Sequence, residues 1–221
     1  MRVVSVNVGE ARLVQWRGRP VSTAIFKEPV EGPRNVRLLG LAGDHQADLS
    51  VHGGVDKAVY AYPAEHYGFW QEELDRELSW ASFGENLTVE GLPLEQELCI
   101  GDRLCVGGAE LAVTQPRLPC FKLGIRFGDA RMVKRFLAAG RTGYYLRVLV
   151  EGQVRAGDDI AFVARDPGAV PVSEVTRVYA HARDDAEALR RLLGSEALPD
   201  DWRPLLTDLL AKAEAGSASR S

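Results

Sequence analysis

A chain of 221 residues with 46% hydrophobic and 26% charged residues can bury the core of one large β domain, or of one domain with a small appendage. Its formal net charge of −4 and its pI of about 5.7 argue against a nucleic-acid polymer as a partner. The N-terminus lacks the pattern of a signal peptide, and no run of about 18 apolar residues occurs. We therefore expect a cytoplasmic protein that does not span a membrane.

Residues 1–165 consist mainly of short strand patterns separated by Gly, Pro and Asp turns. The predicted strands are Val3–Val8, the hairpin of Arg12–Trp16 and Val21–Phe26, a three-strand meander over Leu98–Thr114, Tyr144–Val150, and a strand within Ala156–Ala164. Two helices are predicted, at Ala64–Leu78 and Ala130–Ala139. Many short strands with few helices favour a closed or partly closed barrel, because closure removes exposed edges.

The composition changes after residue 165. The stretch Asp166–Val172 is typical of a linker, and three helical patterns follow it up to residue 215. The predicted capping residues of these helices are Ser173, Asp184 or Asp185, and Asp201. A unit of this size is marginal as an independent fold, so we expect it to dock on the barrel or on a partner. Residues 216–221 are predicted to be disordered. The predicted fold class is thus α+β, a β-barrel domain followed by a small three-helix extension.

The three cysteines are an odd number for a disulfide framework and too few for an ordinary iron–sulfur cluster. Cys99 and Cys105 lie in apolar strand patterns and are predicted to be core residues. Cys120 differs, because the stretch TQPRLPCFKLG surrounds it with prolines and with the cations Arg117 and Lys122. The prolines restrict the backbone and the cations favour the thiolate. On local pattern alone, a buried hydrophobe, a nucleophile and a metal ligand all stay open for Cys120.

Two further motifs carry polar residues beside glycine. HGGVDK contains His52 and Lys57, a pattern suited to an anion because glycine lets a ligand approach the backbone and lysine supplies a compact charge. A tight turn with an Asp56–Lys57 surface pair is equally consistent with it. FGEN contains Glu85 and Asn86, which either face a pocket or form a turn in which Asn86 bonds its own backbone.

The remaining histidines and acids give weaker signals. A divalent-metal site is conceivable in the loop that contains Asp44, His45, Asp48 and His52. No specific metal-ligand spacing is present, so a solvated acidic loop is the preferred interpretation. His66 and His181 are interpreted as ordinary helix residues.

Taken together, four segments resemble the YiiM-type branch of MOSC-domain proteins. They occur in this order: GDHQADLSVHGGVDKAVYAYPAEHY, FGENLTVEGL, IGDRLCVGGAELAVTQPRLPCFKLG and GRTGYYLRVLVEGQVRAGDDI. The likeness covers nearly the whole chain, and the C-terminal helices are similar to the three-helix extension of this branch. The resemblance implies a β-barrel-rich domain that binds the molybdenum cofactor, a pterin dithiolene bearing a phosphate.

The resemblance also implies roles for individual residues. Cys120 matches the molybdenum ligand of the family, and the residues that match the cofactor cleft are His52, Lys57, Glu85, Asn86 and Arg117. YiiM-type and related amidoxime-reducing proteins reduce N-hydroxylated compounds, including base analogues such as 6-N-hydroxylaminopurine. We expect Glu85 or His52 to deliver protons in such a reaction.

The predicted function is therefore a molybdenum-cofactor-dependent reductase of N-hydroxylated small molecules, acting as a monomer or homodimer. The chain has neither a cluster motif nor a dinucleotide-binding GxGxxG, so we expect electrons from an external flavoprotein or ferredoxin-like protein. It also has no room for the large pyridoxal-phosphate domain of molybdenum cofactor sulfurases. Two alternatives stay open: a sulfur or molybdenum-cofactor carrier that uses a Cys120 persulfide, and a protein-interaction module in which the C-terminal helices matter most.

Overall fold

A computed structural model of the chain describes residues 1–45 and 53–218, with side chains described as far as residue 216. Within these residues the strands are β1 (Arg2–Val8), β2 (Arg12–Trp16), β3 (Arg19–Thr23), β4 (Glu28–Pro29), β5 (Arg34–Arg37), β6 (Gly40–Leu41), β7 (Val59–Pro63), β8 (Leu87–Glu90), β9 (Arg103–Val106), β10 (Ala109–Pro116), β11 (Tyr144–Val150), β12 (Gly152–Val154) and β13 (Ile160–Ala164). The helices are α1 (Glu65–Leu74), α2 (Phe121–Phe127), α3 (Met132–Ala139), α4 (Val172–His181), α5 (Ala186–Gly194) and α6 (Arg203–Ala218). Short 3-10 turns at Val55–Lys57 and Asp200–Trp202 precede β7 and α6.

The centre of the molecule is an eight-stranded sheet with the order β13-β9-β10-β11-β7-β8-β1-β4. Its pairs are antiparallel except for β7 and β8, which run parallel. The amide of Ile160 donates to the carbonyl of Met1 at 2.9 Å, and the amide of Val3 donates to the carbonyl of Asp158 at 2.9 Å. These bonds join β13, at one end of the sheet, to β1, which is followed in the sheet order by the two-residue strand β4, so the sheet closes on itself. The predicted barrel is confirmed.

The C-terminal helices dock on this barrel through one continuous apolar core. Alternate residues of β10, such as Leu111 and Val113, are buried on the inner side of the sheet. The core continues from there into the helices through Val175, Leu189 and Leu206, all with at most 1% of their surface exposed. The predicted α+β class with a three-helix extension is therefore confirmed, and the extension packs on the barrel of its own chain.

The segment between barrel and helices is tied down along its length. The Asp102 carboxylate accepts from Arg165 Nη1 at 2.8 Å and from the Asp166 amide at 2.9 Å. The Ile100 amide donates to the Val170 carbonyl at 2.9 Å. Residues 166–172 thus form a fixed connection. The division of the chain into units at residues 165 and 166 stays a prediction.

The helix predictions hold for position and differ in detail. Helix α1 ends at Leu74, four residues before the predicted end, because Asp75 adopts a left-handed conformation. Helix α2 was not predicted, because the prolines before it suggested a loop. The Asp185 carboxylate caps α5 by accepting from the Ala188 amide at 3.0 Å, as predicted. The predicted cap Ser173 lies inside α4, which begins after Pro171.

The other differences concern the ends of elements. Helix α6 begins at Arg203, so the predicted cap Asp201 precedes it in a 3-10 turn. The helix continues to Ala218, although a disordered tail was predicted from residue 216. The predicted meander has two strands, β9 and β10, since Asp102 Oδ2 instead holds the amide of Cys99 in a turn. In the described part of the chain, no helix is long and apolar enough to cross a membrane.

Replacing Leu206 with Ala tests the shared core. Leu206 is fully buried, so truncation should lower the free energy of unfolding by about 2–5 kcal/mol. Because barrel and helices share the core, circular dichroism and tryptophan fluorescence should report one coincident urea transition. The neighbouring Leu205 is 40% exposed, and Leu205→Ala should cost about 1 kcal/mol or less. Equal costs for the two variants, or separate transitions for helices and barrel, would contradict the shared core.

Candidate functional site

Two adjoining clefts open beside Cys120. The first, here called the cationic cleft, is lined by Lys27, Asp44, Lys57, Tyr60, Asn86, Arg117, Cys120, Lys122 and Tyr145, among others. The second, here called the helical cleft, lies between the barrel and the C-terminal helices, and its further lining residues are Gln115, Pro116, Leu118, Pro119, Tyr179, Asp201, Trp202 and Leu205. Cys120, Lys57 and Tyr145 line both clefts.

Cys120 stands at the junction because β10 and α2 fix it from both sides. It is half-buried and has extended backbone geometry, and its carbonyl accepts from the Leu123 amide at 2.9 Å in the first turn of α2.

The other two cysteines are not the core residues that the sequence predicted. Cys105 is exposed and Cys99 is partly exposed, because both side chains lie on the outer side of the sheet or its turn. Cys120 is the cysteine that lines the clefts.

Arg117 places a guanidinium under the cationic cleft. Only 6% of the residue is exposed, and the group lies 5.4 Å from the Tyr60 ring centre and 5.7 Å from that of Phe136. Burial works against the charge, but Tyr60, Tyr145 and Cys120 outweigh it and raise the pKa of Arg117, so it stays cationic. The guanidinium has a hydrogen bond with Tyr145, but among the described residues no carboxylate forms an ion pair with it and its Nη1 has no hydrogen-bond partner. A buried cation with a spare donor is suited to an anionic ligand.

Asn86 links the cationic cleft to a buried ion pair. Its Oδ1 accepts from the Tyr60 amide at 3.1 Å, and its Nδ2 donates to Asp44 Oδ2 at 2.8 Å. Asp44 in turn pairs with Lys27 and accepts from the Gly9 amide at 2.9 Å. Burial lowers the pKa of Lys27 although Asp44 opposes the shift. Asp44 is thus a buried structural acid, and the interpretation of this residue as part of a solvated loop is wrong.

Glu85 lies below the cleft. It has no exposed surface, and its carboxylate accepts from the Tyr67 and Thr88 hydroxyls and from the amides of Ala81 and Phe83. These bonds fold the FGEN loop around the carboxylate and so hold Asn86 at the cleft. The placement differs from the expectation that Glu85 faces the pocket, and it favours a positioning role over proton delivery.

Lys57 connects the cleft to the helical extension. Gly54 has a φ of 98°, which only glycine adopts easily, and it leads into the 3-10 turn that ends at Lys57. Lys57 Nζ lies 2.9 Å from Asp201 Oδ2, while Asp56 pairs with Arg147. The proposed Asp56–Lys57 surface pair is therefore wrong. His52, the other predicted residue of this motif, lies outside the described residues, as does Asp48.

His66 is more than an ordinary helix residue. It is 1% exposed, and its Nε2 lies 2.9 Å from Glu95 Oε2 in the barrel core. Glu95 Oε1 also accepts from the Gly143 amide at 2.8 Å, and the Gly143 carbonyl accepts from the Arg117 amide at 3.1 Å. The pair thereby fixes the loop that holds the Arg117 backbone.

The donor set limits how a metal could bind. Among the described residues, no group of three or more His, Cys, Asp or Glu side chains could hold a metal ion. A metal in the cationic cleft would therefore depend on the Cys120 thiolate together with ligands from a cofactor. A phosphate-bearing dithiolene meets this need, since it supplies sulfur ligands and negative charge opposite Arg117, Lys57 and Lys27. The residues present thus suit the group.

Replacing Glu85 with Gln tests the role of its burial. Desolvation raises the pKa of Glu85 above its ordinary value of 4.5, so the folded state holds this proton more tightly than the unfolded state does. The resulting stabilisation of the folded state is complete below the unfolded-state pKa and is lost as pH rises through the folded-state pKa. Glutamine does not titrate. The free energy of unfolding of the wild type should therefore fall relative to that of Glu85→Gln as pH rises from 4.5 towards neutrality.

Urea denaturation over a pH series measures this difference. Glu97→Gln serves as the control because Glu97 is exposed, and its difference from the wild type should show no comparable trend. A wild-type stability that rises with pH relative to Glu85→Gln would mean that the surrounding donors outweigh desolvation, which would contradict the account.

Comparison with known proteins agrees with this geometry. Residues 48–161 match the MOSC domain, and residues 170–213 match the YiiM-like, 3-alpha helix domain. The chain is 42% identical over 201 residues to the uncharacterized protein YflK of Bacillus subtilis. The alignment covers 91% of this chain and 90% of YflK. The chain is 36% identical over 165 residues to a protein named Reductase from Gibberella moniliformis, covering 73% of this chain and 29% of that protein.

A solved structure extends the match to the whole fold. The crystal structure of YiiM from Geobacillus stearothermophilus superposes with a TM-score of 0.80 at 34% identity, covering 95% of this chain and 98% of that one. Sequence and structure therefore agree for both the barrel and the helical extension. The chain belongs to the MOSC-domain family, in its YiiM-type branch.

Proposed function

We propose that the protein is a molybdenum-cofactor-dependent reductase of N-hydroxylated compounds, with 6-N-hydroxylaminopurine as a representative substrate. The observation that carries the proposal is the meeting at one cleft of the half-buried Cys120 thiol and the buried Arg117 guanidinium, whose Nη1 has no hydrogen-bond partner among the described residues. The thiol is a soft metal ligand, and the guanidinium attracts an anion. The resemblance to a protein named Reductase supports the reaction class.

Several residues of the cationic cleft have a part in this proposal. Cys120 would bind the molybdenum, while Arg117, Lys57 and Lys27 would hold the anionic parts of the cofactor. Asn86 would orient the cleft wall through Asp44 and Tyr60. His52 is retained as a cofactor-binding residue by motif match. The cofactor, when bound, would supply the two-electron chemistry.

The overall reaction balances with an external reductant. An N-hydroxylated compound takes up two electrons and two protons, the N–O bond breaks, and an amine and water leave. The chain carries no other redox motif, so the electrons would come from a flavoprotein or ferredoxin-like partner. None of the three cysteines is in a disulfide, which suits the reducing conditions of the proposed cytoplasmic location. The protons would reach the cleft from solvent or from His52, because Glu85 is enclosed below it.

Replacing Cys120 with Ala tests the proposal. Protein from a host that makes the cofactor should contain molybdenum and a fluorescent pterin and should reduce 6-N-hydroxylaminopurine with a chemical reductant. Cys120→Ala should lose this activity, because the metal would lack its protein ligand. Cys105→Ala is the matched control, since Cys105 is exposed on β9 and away from both clefts, and it should keep full activity.

The result also separates the alternative functions. A Cys120→Ala protein that still reduced the substrate would contradict metal ligation by Cys120. A wild type without molybdenum or turnover, with Cys120 heavier by one sulfur atom in the mass spectrum, would instead indicate a persulfide carrier.

A further inference from the structure

The helical cleft has a different chemistry from the cationic cleft beside it. Its volume is about 290 Å³, and its walls are mainly the apolar and aromatic side chains of Leu118, Pro119, Tyr179, Trp202 and Leu205. Its charged residues, Lys57 and Asp201, pair with each other at 2.9 Å. The walls therefore offer no net charge to a ligand, and they suit an uncharged apolar group.

Gln115, which lines this mainly apolar cleft, has a side-chain amide group without a hydrogen-bond partner among the described residues. Trp202 Nε1 donates to Gln115 Oε1 at 2.6 Å, and an indole N–H can only donate, so the amide oxygen of Gln115 must face Trp202. The Gln115 Nε2 group then faces away from Trp202, and it has no hydrogen-bond partner among the described residues, although only 3% of Gln115 is exposed. A buried donor without a partner is costly, so a ligand acceptor is the natural complement.

We propose that the helical cleft binds the ring of the substrate, a flat, uncharged aromatic heterocycle of one or two rings. Tyr179 and Trp202, whose rings lie 5.8 Å apart at 72°, would contact the ring, and Gln115 Nε2 would donate to one of its nitrogen or oxygen acceptors. The C-terminal helices thus serve as the specificity wall of the site. This inference rests on the proposed function for the reaction and on the cleft itself for the binding.

Two features assign this cleft to the substrate instead of the cofactor. The phosphate and dithiolene charges of the cofactor need cations, and Lys27, Arg117 and Lys122 line the cationic cleft only. Cys120 lines both clefts, so a ring in the helical cleft would lie beside the proposed metal ligand. The N-hydroxyl group would then lie at the junction.

Leu205→Trp fills the helical cleft and tests the inference. Leu205 is 40% exposed on α6, so a larger side chain can enter the cleft without disturbing the core. Leu13→Trp is the matched control, because Leu13 is 71% exposed on the β2–β3 hairpin and lines neither cleft. Adenine, a flat uncharged heterocycle, serves as the probe for cofactor-free protein in calorimetry.

The expected result is saturable adenine binding that Leu205→Trp weakens about tenfold or more and Leu13→Trp leaves unchanged. Gln115→Glu should also weaken binding, since it keeps an acceptor for Trp202 and removes the free donor. In loaded enzyme, Leu205→Trp should raise KM for 6-N-hydroxylaminopurine by a similar factor and should lower kcat/KM for hydroxylamine, which has no ring, much less. Leu13→Trp should leave both unchanged.

Each other outcome has a definite meaning. No saturable adenine binding by the wild type, or equal binding by Leu205→Trp, would overturn the inference. Loss of pterin from Leu205→Trp would also overturn it, by assigning the cleft to the cofactor. Adenine binding as expected, in a wild type that reduces neither compound, would support the cleft assignment while contradicting the proposed function.

Discussion

The guanidinium of Arg117 lies buried among aromatic rings without a carboxylate from the described residues beside it. A buried cation normally has a partner, since desolvation is costly, and much of the surrounding structure can be understood from this requirement. The Glu95–His66 pair and Gly143 fix its backbone, and Tyr60 covers its face. The barrel thus holds a positive charge ready for an anion, which favours binding over stability at this point.

The helical extension completes the site as well as the core. Its apolar residues join the barrel core through Leu206, and Trp202 and Asp201 reach back to Gln115 and Lys57. A barrel without these helices would expose the Lys57 side of the cationic cleft and would lose a wall of the helical cleft. Core packing, cleft shape and the placement of charged residues are therefore coupled in one arrangement.

The barrel and the helical extension could be predicted from the sequence, because strand and helix periodicity are local signals. The gathering of Lys57, Asn86, Arg117 and Cys120 was implied by the resemblance of the ordered motifs to the MOSC family. The sequence did not indicate Lys27 or the burial of Asp44, since their pairing depends on a contact between loops 17 residues apart. Glu85 shows the same limit. The sequence places it beside a glycine turn, but only the fold shows four donors enclosing its carboxylate.

The central claim is that Cys120 supplies a metal ligand in the cationic cleft. X-ray absorption at the molybdenum edge of loaded protein tests it most directly, because it counts the sulfur atoms around the metal. The account predicts a cysteine sulfur in addition to the dithiolene pair, and one sulfur fewer in Cys120→Ser. The same sulfur count in both proteins would contradict it.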